Sequence, residues 1–163
     1  KFAKRGLFGP QYADNWLEVG ALNYVMDENM AAPFSNYSAE LVDVFAPGMA
    51  IYATTPENTY EFLQGTSMAA PVVAGVAAVL RSYFPDLTAE QVKDVIMASA
   101  EKKTNMMVVK PGSDEQVPFS ELSVTGGIVN LERAVELATK IEGDNRRATR
   151  RLPTLPKKDQ ARP

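Results

Sequence analysis

From Met68 to Leu80 the chain runs for 13 residues without a charge, and nothing else in it constrains the fold as strongly. The run is too short to cross a bilayer, which takes about 20 apolar residues, and too long for an ordinary strand. Read as a helix it has no polar face, so it has to be buried on all sides. Ala69, Ala70, Ala74, Gly75, Ala77 and Ala78 are small enough for neighbours to approach its backbone. The pattern predicts a helix from Thr66 or Ser67, either being a good N-cap, to about Tyr83, before Pro85 stops it. Pro71 falls at the end of the first turn, where its missing N–H forfeits about one early hydrogen bond.

A helix of this kind needs layers around it, and the flanking sequence supplies them. Residues 1–14 read as irregular. Trp16–Leu22, Leu41–Phe45, Ile51–Thr54 and Tyr60–Leu63 read as strands, with a polar, turn-rich loop over Met26–Ser38. Thr88-Ala89-Glu90-Gln91 is a capping box that opens a helix with Val92, Val95 and Ile96 on its apolar face, extended by Ser99 and Ala100. Lys102–Glu121 reads as a polar excursion. Asn130 caps a last helix through about Ile141. Strands, a buried helix and then amphipathic helices predict an α/β layered fold. Residues 1–142 form the domain, and 143–163 form a basic, proline-containing tail or linker.

The 163 residues include no cysteine and no histidine. That excludes disulfides, cysteine chemistry, and the commonest metal ligand and general base. The net charge of −3 is uneven, because the tail carries seven basic residues against two acidic ones. No base-reading motif or interleaved aromatics accompany those charges, so nucleic acid is not an expected partner.

The chemistry centres on Ser67. A serine hydroxyl near neutral pH needs exposure, a base for its proton and donors for the developing oxyanion. A helix N-terminus exposes it, aims unpaired backbone N–H groups outward and favours negative charge. Gly65 lets a substrate backbone lie close, Thr66 adds a hydroxyl beside the oxyanion, and Leu63 and Gln64 reach the residue on the substrate's acyl side. Most serines at helix starts only cap, and on these grounds alone both roles stay open.

Gly65-Thr66-Ser67-Met68-Ala69-Ala70-Pro71, continuing through Val72-Val73-Ala74-Gly75-Val76-Ala77-Ala78, resembles the nucleophile motif of the subtilisin-like serine proteases (subtilases, peptidase family S8). Other segments resemble that family in order. They are Val19-Gly20-Ala21, Phe34-Ser35-Asn36-Tyr37-Ser38, Asp43-Val44-Phe45-Ala46-Pro47-Gly48 and Gly126-Gly127-Ile128-Val129-Asn130. Ser38 stands where the family's turn has glycine.

The resemblance implies a three-layer α/β fold with a mostly parallel sheet, present as its C-terminal portion. It implies a serine endopeptidase with Ser67 as nucleophile, acting on an extended polypeptide through an acyl-enzyme. The partners it implies are that substrate and the N-terminal half of the same domain, which carries the Asp and His motifs and an oxyanion asparagine just before Lys1. Alone, the chain is expected to be inactive. No cofactor is required. Structural calcium is a family trait, with Asp27, Glu28 and Asp43 as conceivable ligands. A secreted or cell-envelope location in a bacterium follows from the family alone. Asp43, Glu57, Glu61, Asp86 and Asp94 are the carboxylates available to replace the missing base, and an ordinary carboxylate is a weak one at pH 7. A non-catalytic binding or scaffolding relative remains the alternative.

Overall fold

The computed structural model describes residues 4–6, 9–11, 13 and 15–143. Residues 144–163, nearly all of the expected tail, lie outside that range. Residues 1–14, read as irregular, contain a short antiparallel hairpin of β1 (Lys4–Gly6) and β2 (Gly9–Gln11).

The central sheet has four strands: β3 (Val19–Leu22), β4 (Val44–Pro47), β7 (Glu101–Lys102) and β10 (Gly127–Ile128). Their order is β3-β4-β10-β7; β3, β4 and β10 are parallel and β7 is antiparallel to β10. Both long strands start later than the sequence suggests, at Val19 and Val44 rather than Trp16 and Leu41. The Ser38 hydroxyl accepts the N–H groups of Glu40 (3.2 Å) and Leu41 (3.1 Å), winding this stretch into a turn. That contact also explains how serine serves where glycine is usual: hydroxyl bonds hold the turn, and Ser38 does not adopt a left-handed backbone.

Side chains alternate across the sheet with a period of two. Ala21, Val44 and Ala46 face a helical layer, while Leu22 and Phe45 face the other side. The helical layer is α1 (Thr66–Tyr83), α2 (Ala89–Ala98) and α3 (Leu131–Ala138). α1 lies across β3 and β4, with α2 and α3 packed against it. The capping box is formed as expected, Thr88 Oγ1 accepting the Gln91 N–H and Gln91 Oε1 accepting the Thr88 N–H. Val92, Val95 and Ile96 are buried. Asn130 Oδ1 accepts the Arg133 N–H at the start of α3, which ends at Ala138 rather than near Ile141.

The excursion from Lys102 to Glu121 is not a polar surface loop. Met107–Val109 (β8) and Gln116–Pro118 (β9) pair antiparallel. They turn Val108, Val117 and Phe119 inward against Leu22, Met30, Val42, Phe45 and Leu122. The Phe45 and Phe119 rings sit 5.0 Å apart at a tilt. This second core covers the sheet face that the helices leave open. The hairpin's apolar residues, Met107–Val109 on one arm and Val117 and Phe119 on the other, are separated in sequence by Lys110, Asp114 and Glu115, which give the stretch its polar reading.

The α1 expectation needs correction too. Only Ala69, Val73, Val76 and Leu80 are buried. Ala70, Pro71, Ala74, Gly75 and Ala78 are exposed, and a Cβ added at Gly75 would meet nothing within 4 Å. The described residues cover one face of the uncharged Met68–Leu80 run, and the opposite face has the composition of a core element without the cover.

One buried polar contact closes the edge of the sheet. β3 is an outer strand, and its Ala21 N–H points away from β4 into the Ser35 hydroxyl at 2.8 Å, which in turn donates to the Asn36 carbonyl. Ser35 and Ala21 are buried. Ser35→Ala therefore strands a buried N–H, a cost of about 1–3 kcal/mol. Denaturant titration of the full-length protein reads this directly; a loss under about 0.5 kcal/mol would show that water replaces the hydroxyl.

Candidate functional site

β5 (Ile51–Thr55) and β6 (Thr59–Leu63) form an antiparallel hairpin that delivers the chain to Ser67. Leu63 pairs with Ile51 at the hairpin's base, half-buried, and Gln64 beyond it is exposed. The aromatic side chains Tyr52, Tyr60 and Phe62 share the outer face, ring centroids 5.0 and 5.5 Å apart. Gly65 then takes φ +148° and ψ 163°, a conformation that side chains resist, and reverses the chain into α1.

That turn corrects the expected cap. Gly65 is the N-cap, with no side-chain bond; Thr66 is the first helical residue and Ser67 the second. Glycine makes the reversal before either hydroxyl residue is reached, so Thr66 and Ser67 enter the first turn instead of capping it. Their side chains are consequently not spent on backbone N–H groups.

Ser67 is exposed, and its Oγ makes no hydrogen bond to any described residue. The first intrahelical bond comes from Met68 N–H to Gly65 O at 3.0 Å, so the N–H groups of Thr66 and Ser67 have no backbone acceptor among the described residues. Both point out of the helix beside the hydroxyl, at its positive end. Pro71 is the sixth helical residue, and its absent N–H is the one that would have bonded the Ser67 carbonyl.

The site is locked to the sheet by Gly48. Its N–H donates to the Leu22 carbonyl (3.1 Å) at the end of β3, and its carbonyl accepts the Gly65 N–H (2.8 Å). A Cβ there would lie 2.7 Å from Ala21 Cβ, 2.8 Å from Gly65 O and 3.2 Å from Ala69 Cβ. Ser67 thus sits at the carboxyl edge of the parallel strands, where α/β sheets generally bind ligands. The Ala-Pro-Gly sequence marked a turn but not this contact, which brings together residues 17 positions apart.

None of the carboxylates considered as a base joins Ser67. Asp43 is buried at the amino end of β4, the far end from Gly48, where its Oδ2 accepts the Glu18 N–H at 2.8 Å. Glu57 is in the hairpin tip, Glu61 on an exposed strand position, Asp86 past the end of α1 and Asp94 on α2. Of the calcium candidates, Asp43 lies at the start of β4, while Asp27 and Glu28 are neighbours in the 23–33 loop, where Asp27 Oδ1 accepts the Asn29 N–H and Glu28 Oε2 accepts the Gln116 amide. Among the described residues no three acidic, cysteine or histidine side chains cluster to hold a metal. Among them, too, no helix is long and apolar enough to cross a membrane.

A family model described as the Subtilase family matches residues 7–120, more than half of the chain. The chain belongs to the subtilase family. Its relatives include subtilisin DY of Bacillus licheniformis, 45% identical over 91 residues, which are 56% of this chain and 32% of that protein. Subtilisin-like protease 1 of Plasmodium vivax is 36% identical over 77% of this chain and 18% of its own length. Two solved subtilase-like structures overlay with a TM-score of 0.58 and 26% identity: the A-subunit of the AB5 toxin from E. coli and the CspB protease of Clostridium perfringens. They match 75% and 76% of this chain, and 37% and 27% of their own chains. The chain spans about a third or less of the curated relatives it matches. The mixed α/β architecture with its mostly parallel sheet is that of a partial subtilase fold, as the sequence motifs implied.

Proposed function

We propose that this chain is the nucleophile-bearing portion of a subtilisin-like serine endopeptidase, with residues 1–142 as part of its catalytic domain and Ser67 as the attacking group. The observation that carries the reading is an exposed, uncommitted hydroxyl at a helix start with its own N–H unpaired beside it. Ser67 Oγ attacks the scissile carbonyl carbon while its proton passes to a histidine. With no histidine in the 163 residues, that base, the aspartate that orients it and an oxyanion asparagine come from elsewhere in the polypeptide. The carbonyl oxygen, now negative, is held by the Ser67 N–H and by the asparagine. Collapse expels the amine with the histidine's proton, and water hydrolyses the resulting ester. Gly65, with no Cβ, leaves room for an extended substrate backbone; Leu63 and Gln64 flank it and Thr66 supports the oxyanion side. No cofactor enters these steps. The same reading assigns the exposed face of α1, centred on Ala74 and Gly75, to packing by the rest of the domain, and a secreted or cell-envelope location.

Both halves of this reading are testable on the isolated 163-residue chain beside the full-length protein. A fluorophosphonate probe is expected to label Ser67 in the full-length protein and leave the isolated chain unlabelled. The isolated chain should also bind an apolar dye such as ANS through the uncovered α1 face, and the full-length protein should not. Labelling of the isolated chain would overturn the claim that its base lies elsewhere. A dye-silent, cooperative melt would overturn the claim that α1 lacks its cover.

A further inference from the structure

We infer that the cavity between the β8–β9 hairpin and the 23–33 loop is a specificity subsite, taking a substrate side chain with an aliphatic stem and a hydrogen-bond-accepting end, glutamate first and glutamine second. The inference rests on the endopeptidase reading of Ser67, and adds to it the selection of a substrate residue by a surface remote from the nucleophile.

The cavity has a volume of about 240 Å³, several times the ~30 Å³ of a water molecule. Its position ties it to Ser67. Asn23 follows the carboxyl end of β3, and Met49 follows Gly48 beyond the carboxyl end of β4. Gly48 is the residue that bonds Leu22 on one side and Gly65 on the other. The cavity and the serine therefore open on the same edge of the sheet, and an extended peptide advances about 3.3 Å per residue along such an edge.

Its walls are of two kinds. Ala31, Met49 and Val109 supply apolar surface for methylene groups, and Asn29, Lys110 and Ser113 supply polar atoms. The hairpin is clamped in place by Val109 N–H on the Glu28 carbonyl (2.7 Å) and by the Gln116 amide on the Glu28 carboxylate (2.8 Å). That second bond holds the Glu28 carboxylate against the hairpin, and Glu28 is not among the residues that line the cavity. Lys110 Nζ lies 2.7 Å from Glu115 Oε2 and 5.9 Å from the centre of the Tyr37 ring. The hydrogen bond and charge of the Glu115 carboxylate beside it hold the ammonium above the usual lysine range. An ammonium has three donors; Glu115 takes one and leaves others for a ligand. Ser113 fixes the turn by donating to the Lys110 carbonyl and accepting the Glu115 N–H.

The experiment uses the full-length protein and peptides carrying Glu, Gln, Leu or Lys at each position flanking the scissile bond. At one position the ratio of kcat/KM for Glu over Leu is expected to reach about tenfold. Lys110→Met should bring that ratio close to one and Lys110→Arg should largely keep it. Glu115→Gln should raise it, because the competing carboxylate is gone, whereas a merely structural pair predicts that both variants lower it. A ratio that is flat at every position, or one that survives Lys110→Met, overturns the proposal. Absence of hydrolysis and of fluorophosphonate labelling would instead overturn the endopeptidase reading. In that event anisotropy of a labelled Glu-containing peptide on wild-type and Lys110→Met protein decides the cavity by itself: tighter binding to the wild type supports it and equal binding rejects it.

Discussion

Replacing Ser67 with alanine in the full-length protein should lower kcat for peptide hydrolysis by about 10⁶-fold and abolish fluorophosphonate labelling, while leaving the melting temperature close to that of the wild type. The magnitude is that of removing the nucleophile of subtilisin, a member of the same family. Its direction and the intact fold follow from the structure. Ser67 Oγ bonds to no described residue, its side chain is exposed, and alanine is the better helix former at the second position of α1. Nothing structural is lost with the hydroxyl. A residual activity within tenfold of the wild type would show that another group attacks the carbonyl. A large fall in melting temperature would show that the hydroxyl serves the fold instead.

Gly48→Ala should act without touching the nucleophile. The added methyl would meet Ala21 Cβ at 2.7 Å, Gly65 O at 2.8 Å and Ala69 Cβ at 3.2 Å. None of these can rotate away: two are buried alanines and the third is backbone at the N-cap. The strain is of the overpacking kind, about 1–3 kcal/mol. Its relief requires the start of α1 to move off the sheet edge, carrying Ser67 with it. A displacement near 1 Å costs on the order of 10²-fold in rate when reacting atoms are prealigned. The expected result is a lower denaturation midpoint together with a fall in kcat/KM of roughly that size, dominated by kcat. Wild-type kcat in a destabilised protein would show that the turn deforms without moving the helix.

The elements that were legible in advance share a local cause. Thr88 and Gln91 cap one another across three positions, and Asn130 caps α3 through Arg133 at the same spacing. The identity of Ser67 as the candidate nucleophile rested on a short contiguous motif. β4 starts later than propensity suggests because the Ser38 hydroxyl takes the N–H groups of Glu40 and Leu41, which propensity does not count. The β8–β9 hairpin was missed because the apolar residues that bury it, Val108, Val117 and Phe119, find their partners on β3, β4 and the 23–33 loop. The cap was misassigned because Gly65's backbone angle, not the hydroxyl preference of the next two residues, set the turn.

By itself the sequence determined the helix, the hydroxyl at its mouth and the lack of any imidazole to activate it, since each is a property of composition or of neighbours along the chain. Tertiary structure alone decided that Gly48 ties the serine to the sheet edge, that α1 is covered on one face only, and that Lys110, Asn29 and Met49 meet around one cavity. Those facts depend on which residues distant in sequence come within bonding range, and no periodicity or propensity encodes a distance.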